Sequence, residues 1–165
     1  LYSTDFRASE RLFAQLMQVA GRAGRAAVAG YVLIQTEFPD HPLYRALQQH
    51  DYDALAKSLL AERKTAGFPP YVYQALLRAE AHNIELVLDF LAQAAKLAQP
   101  LPTVEIFDPV PAPMLRLKGL ERAHLLVQSS SRRQLQEFLA QWYKQINSLP
   151  THKIRWVIDV DPLEF

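Results

Sequence analysis

Cysteine is absent from all 165 residues. That excludes a disulfide scaffold, a thiol nucleophile and any cysteine-built zinc site within the chain. Long apolar runs are missing as well: no stretch approaches the roughly 18 residues a membrane helix needs, and nothing resembles a secretion signal. Both absences fit a cytoplasmic protein. Neither charge is in excess, with 18 Lys and Arg against 17 Asp and Glu. This balance argues against a simple polyelectrolyte grip on nucleic acid and leaves room for local basic clusters. Glycine is scarce, at Gly21, Gly24, Gly30, Gly67 and Gly119. None of these begins a G-x-x-x-x-G-K-[ST] phosphate loop, and no acidic pair follows a strand as a magnesium site requires. The histidines are dispersed with no i, i+4 pair, so no metal site is expected. The chain starts at Leu1 and its first methionine is Met17, as expected of part of a longer polypeptide.

What is present is a chain that is half apolar, enough for the core of one or two compact domains. Leu12, Phe13, Leu16, Met17 and Ala20 form the stripe of a helix, with Ser3, Thr4 or Asp5 as its cap and Gly21 and Gly24 as its end. Tyr31 to Gln35 reads as a buried strand, making this region α/β. A second helix is expected from Asp51 to Ala66. Gly67 sits where a left-handed cap belongs, Phe68 can supply its hydrophobic contact, and Pro69-Pro70 forbid continuation. The main boundary falls there.

Beyond it the pattern predicts β-α-β-β-α-β. Tyr71 to Ala81 is a strand, Asn83 caps a helix, and Thr103 to Phe107 is a second strand. The rigid DPVPAP segment leads into MLRLK and RAHLLVQS, which flank a turn at Gly119. Ser130 or Ser131 caps a helix carrying residues 135, 138, 139, 142 and 146 on one face. Lys153 to Val160 alternates as the last strand. This is the split βαβ order of ferredoxin-like sandwiches.

The stretch that carries chemistry is QVAGRAGR. Arg22 and Arg25 each follow a glycine, which lets the backbone bring them close to a ligand. A guanidinium fork binds phosphate bidentately and stays charged at working pH. Such a finger spreads transition-state charge in phosphoryl transfer, worth on the order of 10³–10⁵ in rate. The plain alternative is a glycine-rich helix end with two solvated arginines. Because no phosphate loop accompanies them, this chain alone is expected not to hydrolyse ATP; the arginines would complete a site built on another domain.

The segment DFRASERLFAQLMQVAGRAGR resembles the last conserved motif of superfamily 2 helicases, Q-x-x-G-R-x-G-R. More narrowly it resembles the PriA (primosomal protein N′) family of replication-restart helicases, through Asp5, Phe6, Arg7, Ala8, Glu10 and Arg11. The likeness continues through PDHPL, LAERK and the prolines after it, FDPVPAP and the terminal WVIDVDP. It implies the C-terminal portion of a 3′-to-5′ DNA helicase that recognises stalled forks and reloads the replication machinery. Residues 1–38 would end the second, RecA-like helicase lobe, 39–70 form a helical linker, and 71–165 the ferredoxin-like domain. By position, Arg25 would be the finger, Arg22 a second phosphate contact and Gln18 a polar relay, with the arginine roles exchangeable. ATP and magnesium would be held elsewhere in the parent enzyme, and zinc by cysteines of an upstream segment. Asp5 and Arg7 would couple nucleotide to DNA, or form a structural ion pair.

Two further surfaces are candidates. Arg116, Lys118 and Arg122 cluster about a hairpin that could hold a DNA backbone, or form an ordinary charged edge. On strand spacing, Leu115 and Leu117 face away from Arg116 and Lys118. Arg132 and Gln136 lie one turn apart at the start of the last long helix, suiting a carboxylate. The resemblance places there the pocket for the acidic tail of single-stranded-DNA-binding protein; the rival is a solvated helix start. Asp159 and Asp161 look like a carboxylate pair, read as structural, and Trp142 and Trp156 as core. Other primosome proteins are implied partners. The alternative to the helicase reading is a non-catalytic ferredoxin-like module that binds nucleic acid or a peptide.

Overall fold

A computed structural model describes residues 5–23, 30–150 and 153–164. The chain divides into two compact units, Leu1–Phe68 and Pro69–Phe165.

In the first unit, α1 (Ala8–Ala20), α2 (Pro42–Gln49) and α3 (Tyr52–Ala66) share a small core of Phe13, Leu43, Ala46, Leu47 and Leu55. The apolar stripe of α1 faces inward as its spacing requires. Its start differs from expectation: Arg7 occupies the cap position and makes no side-chain cap. Asp5 instead accepts the Arg7 backbone N–H at 2.9 Å, and Ser3 and Thr4 lie outside the described residues. The helix α2 was not expected. His41 caps it by accepting the Leu43 N–H on Nδ1 at 3.2 Å, with Pro42 in the first turn, where its missing N–H costs nothing. Asp51 caps α3, and Gly67, at φ 66°, ends it in the left-handed region as anticipated. Phe68 N–H then donates to the Arg63 carbonyl at 2.8 Å, and its ring stacks on Phe6 with centroids 5.4 Å apart.

The strand expected at Tyr31 to Gln35 is not formed. Among the described residues no strand pairs with them, and an unpaired extended segment leaves its backbone to water. Tyr31 and Leu33 stand almost wholly exposed, while Ile34 packs on the small core.

The second unit is an antiparallel five-stranded sheet backed by two helices. Its elements are β1 (Tyr73–Ala81), α4 (Ile84–Leu97), β2 (Val104–Ile106), β3 (Val110–Leu117), β4 (Leu120–Ser129), α5 (Arg132–Ile146) and β5 (Arg155–Val160). The order is β2-β4-β1-β5, with β3 also paired to β4. Thus β2 lines the end of β4 and β3 its beginning, as two pieces of one interrupted strand. Pro111 and Pro113 are tolerated because β3 is an edge with a register shift between Pro111 and Arg116. Lys118 and Gly119 both take positive φ, 51° and 82°, the two-residue turn that matches strand twist.

Alternation assigns the two faces. Ala75, Leu77, Ala79 and Ala81 of β1 meet Val87, Phe90, Leu91 and Ala94 of α4 and Leu135, Phe138, Leu139, Trp142 and Ile146 of α5 in one buried core. The opposite face carries Arg78, Glu80, Arg122, His124, Arg155 and Asp159, read from the register of β1 with β4 and β5. Ser131 caps α5 through the Gln134 N–H. Asp159 pairs with Arg78 at 3.0 Å, while Asp161 lies beyond the strand at φ 54°. The two carboxylates are therefore not an alternating pair on one strand.

Candidate functional site

In the first unit, the inward stripe of α1 leaves Gln18 and Arg22 in solvent, four residues apart around the helix end. Arg22 closes the last turn by donating its N–H to the Val19 carbonyl at 3.0 Å. Arg25 lies outside the described residues. Helix α1 and the turn that ends it thus present a polar side chain and a guanidinium to solvent, with the buried face of α1 anchoring them from behind.

The start of α1 is fastened more firmly. Asp5 meets Arg11 at 3.2 Å as well as accepting the Arg7 N–H. The Arg7 and Arg63 guanidinium carbons each lie 5.0 Å from the Phe6 ring centre. Arg63, with a largely covered side chain, also binds Glu10 at 2.8 Å. Cation–π contact, an ion pair and the Phe6–Phe68 stack thus tie the segment ahead of α1 to the end of α3. Asp5 and Arg7 belong to that brace.

In the second unit, the proposed hairpin cations separate. Lys118 occupies the turn itself rather than the strand. Arg116 stands opposite Glu121, while Arg122 stands opposite Glu80, so neighbouring positions place them on opposite faces of the sheet. Met114, Leu115, Arg116 and Leu117 are all exposed, so Leu115 and Leu117 do not serve as a buried face. Of the three, Arg122 alone lies on the sheet face opposite the helices. Glu121 is engaged in holding α4, where it accepts the Ile84 N–H at 2.8 Å.

Arg132 and Gln136 lie exposed on one side of α5. Gln136 forms one end of a groove of about 430 Å³ between α5 and the edge strand β5, with Leu139, Tyr143, Trp156, Val157 and Val160 among its walls. Val157, Val160 and Tyr143 are exposed there. Arg132 sits a turn beyond that end, and the neighbouring Arg133 is drawn instead to Glu137, whose hydrogen bond at 2.8 Å raises its pKa. An apolar groove with a guanidinium near one end that makes no ion pair among the described residues suits a peptide carrying both an apolar side chain and a carboxylate.

The residues missed in the sequence are the other cations of the face opposite the helices, Arg78 and Arg155. Arg78, Arg122 and Arg155 surround a cleft of about 280 Å³ with Glu80. His124 lies beside them, 7% exposed, with Nδ1 unpartnered. Burial, then Arg78 and Arg122, hold its pKa below the ordinary 6.5. The signal was available in alternation: Arg78 and Glu80 interleave with Leu77, Ala79 and Ala81, and Lys153 and Arg155 interleave with Ile154 and Trp156.

Among the described residues, no helix is long and apolar enough to cross a membrane. The family model described as "Primosomal protein N C-terminal domain" matches residues 64–163, which span the whole helix-backed sheet. The chain is also similar to the replication restart protein PriA of Haemophilus influenzae, 42% identical over 98% of this chain and 22% of that protein. The PriA of Synechocystis is 37% identical over 96% of the chain and 19% of its own length. That of Bacillus subtilis is 33% identical over 84% and 18%. The chain belongs to the PriA family, as its motifs indicated. It spans about a fifth of the length of the curated relatives it matches.

Proposed function

We propose that the chain is the C-terminal part of an ATP-dependent 3′-to-5′ DNA helicase that restarts replication at stalled forks. In this reading residues 1–38 end a RecA-like lobe and residues 39–70 form a helical linker. Gln18, Arg22 and Arg25 complete an ATP site whose phosphate loop and magnesium ligands lie elsewhere in a cytoplasmic parent enzyme, as does its zinc. Arg25 is the finger, Arg22 the second phosphate contact and Gln18 the relay to attacking water. A guanidinium delivered this way stabilises charge only as it develops on the transferring phosphoryl group. Asp5 and Arg7 couple nucleotide to DNA by fixing where α1 begins.

The second unit is a ferredoxin-like domain. That is supported by the element order and by the interrupted β2/β3 edge flanking β4. It binds fork and single-stranded DNA through its cations, Arg122 foremost, with Arg116 and Lys118 on the projecting hairpin. Arg132 and Gln136 receive the acidic tail of single-stranded-DNA-binding protein beside the α5/β5 groove, and other primosome proteins assemble on the same enzyme.

The observation that carries this reading is the extent of the likeness to PriA. It covers 98% of the chain and so includes α1 and the segment holding both arginines. The test is Arg25→Ala in the full-length enzyme. DNA-stimulated ATP hydrolysis should fall by about 10³-fold or more with DNA binding retained; undiminished hydrolysis removes the finger.

A further inference from the structure

Helix α1 is held deeply at one point. Phe13 is its one buried residue, packed with Leu43, Leu47 and Leu55, while Leu12, Leu16 and Met17 are partly covered. The end that leads to the arginines is exposed at Gln18, Val19, Gly21 and Arg22. At about 1.5 Å per residue, the start of α1 lies roughly 8 Å and its end roughly 10 Å from Phe13. The helix can therefore tilt about Phe13, and a shift of its start swings the opposite end by a similar distance. Misplacing a reacting group by about 1 Å can cost about a hundredfold in rate. Where α1 begins thus decides where Gln18 and Arg22 stand.

No side chain caps that start, so the helix's own sequence does not set it. The Asp5 contacts with the Arg7 N–H and with Arg11 lie within the segment itself. The tie to another element is made by Arg63 of α3. Its side chain binds Glu10 at 2.8 Å, and its guanidinium carbon lies 5.0 Å from the Phe6 ring centre. Its backbone carbonyl accepts the Phe68 N–H at 2.8 Å, and Phe68 stacks on Phe6 with centroids 5.4 Å and planes 17° apart. One residue therefore supports both faces of the contact. The Arg63 side chain is 15% exposed, and its Nε is buried without a hydrogen-bond partner among the described residues. Packing alone gives an arginine no reason to carry an unmet buried donor. Laying the guanidinium against Phe6 while Nη2 reaches Glu10 accounts for it.

We infer that Arg63 is a positioning residue for the phosphate-contacting arginines: from α3 it fixes the start of α1, and α1 carries that position to Gln18, Arg22 and Arg25. The inference rests on the ATP reading above and extends it to residues 39–70, which that reading leaves as a linker. Arg63 acts through Phe6 and Glu10 and touches no nucleotide. Without it α1 tilts, and the arginines meet the transferring phosphoryl group less often in productive geometry. Turnover falls, while ground-state binding of ATP, made elsewhere in the parent enzyme, is kept.

The test is steady-state ATP hydrolysis by the full-length enzyme at saturating single-stranded DNA. Arg63→Met keeps an unbranched stem and removes the guanidinium. It should lower kcat by about tenfold or more, with KM for ATP and DNA affinity within about twofold of the parent. Glu10→Gln, at a half-exposed position, should lower kcat by about threefold. Adding it to Arg63→Met should cost nothing further, because both act through one contact. Phe6→Leu, which keeps bulk and loses the ring face, should show the same fall in kcat, and it answers the question if Arg63→Met does not fold. A merely stabilising arginine gives a lower thermal midpoint with parent-like kcat well below that temperature; that result overturns the inference, as does a raised KM at unchanged kcat or an additive loss in the double variant. Arg25→Ala in the same assay separates the two claims. Undiminished hydrolysis there removes the finger reading itself, whereas loss there with parent-like Arg63→Met and Phe6→Leu removes the positioning role alone.

Discussion

The indole N–H of Trp142 donates to the backbone carbonyl of Ala94 at 2.8 Å in the centre of the second unit. Ala94 belongs to the last turn of α4, whose carbonyls have no donor within their own helix. One side chain of α5 therefore satisfies the end of α4 while filling the core between both helices and the sheet. Trp142→Phe keeps most of the bulk and deletes that bond. It should lower stability by about 1–3 kcal/mol, read as a lower thermal midpoint with unchanged cooperativity. An unaltered midpoint would show that the carbonyl finds water at no cost.

His124 makes stability depend on pH with a definite sign. Burial and the two neighbouring arginines depress its folded pKa below 6.5. The unfolded chain accordingly takes up a proton, as pH falls through 6.5, that the folded chain refuses until a lower pH. The folded state thus keeps its full advantage above that value and loses it on acidification. Urea midpoints taken between about pH 7.5 and about pH 5.5 should decline more steeply for the parent than for His124→Gln. Parallel declines would contradict the assignment.

The tail site proposed beside the α5/β5 groove predicts a division of labour in binding. Arg132→Glu should weaken the acidic tail peptide of single-stranded-DNA-binding protein by roughly tenfold or more by removing a charge-assisted contact. Val157→Asp should do so by spoiling an apolar wall. Calorimetric titration checks both, and equal affinity in either variant removes that part of the pocket.

Local chemistry was legible in the sequence where one segment decides its own fate. The five-residue stripe of α5 is buried in full, and Gly67 ends α3 because only a residue without a side chain enters that backbone region without strain. The helix α2 went unread because eight residues give barely two turns of periodicity, and its start signal, His41-Pro42, looks like a loop. The strand at Tyr31 to Gln35 failed for the opposite reason: its apolar run is clear, but strand formation depends on a neighbour the segment cannot supply. Alternation gives the polar face of each strand, but the cleft among Arg78, Arg122 and Arg155 was not legible, because they come from three strands and only pairing register makes them neighbours. The same register separated Arg116 from Arg122, which sequence proximity had joined.

The central claim is that the arginines after α1 act on the phosphoryl group in flight rather than on bound nucleotide. The most direct measurement is the affinity of full-length enzyme, parent and Arg25→Ala, for ATP and for ADP with aluminium fluoride, a mimic of the transferring phosphoryl group. The account predicts nearly unchanged ATP affinity and a loss of at least about a hundredfold for the mimic, since a finger binds chiefly in the transition state. Equal loss for both ligands, or none for either, would contradict it.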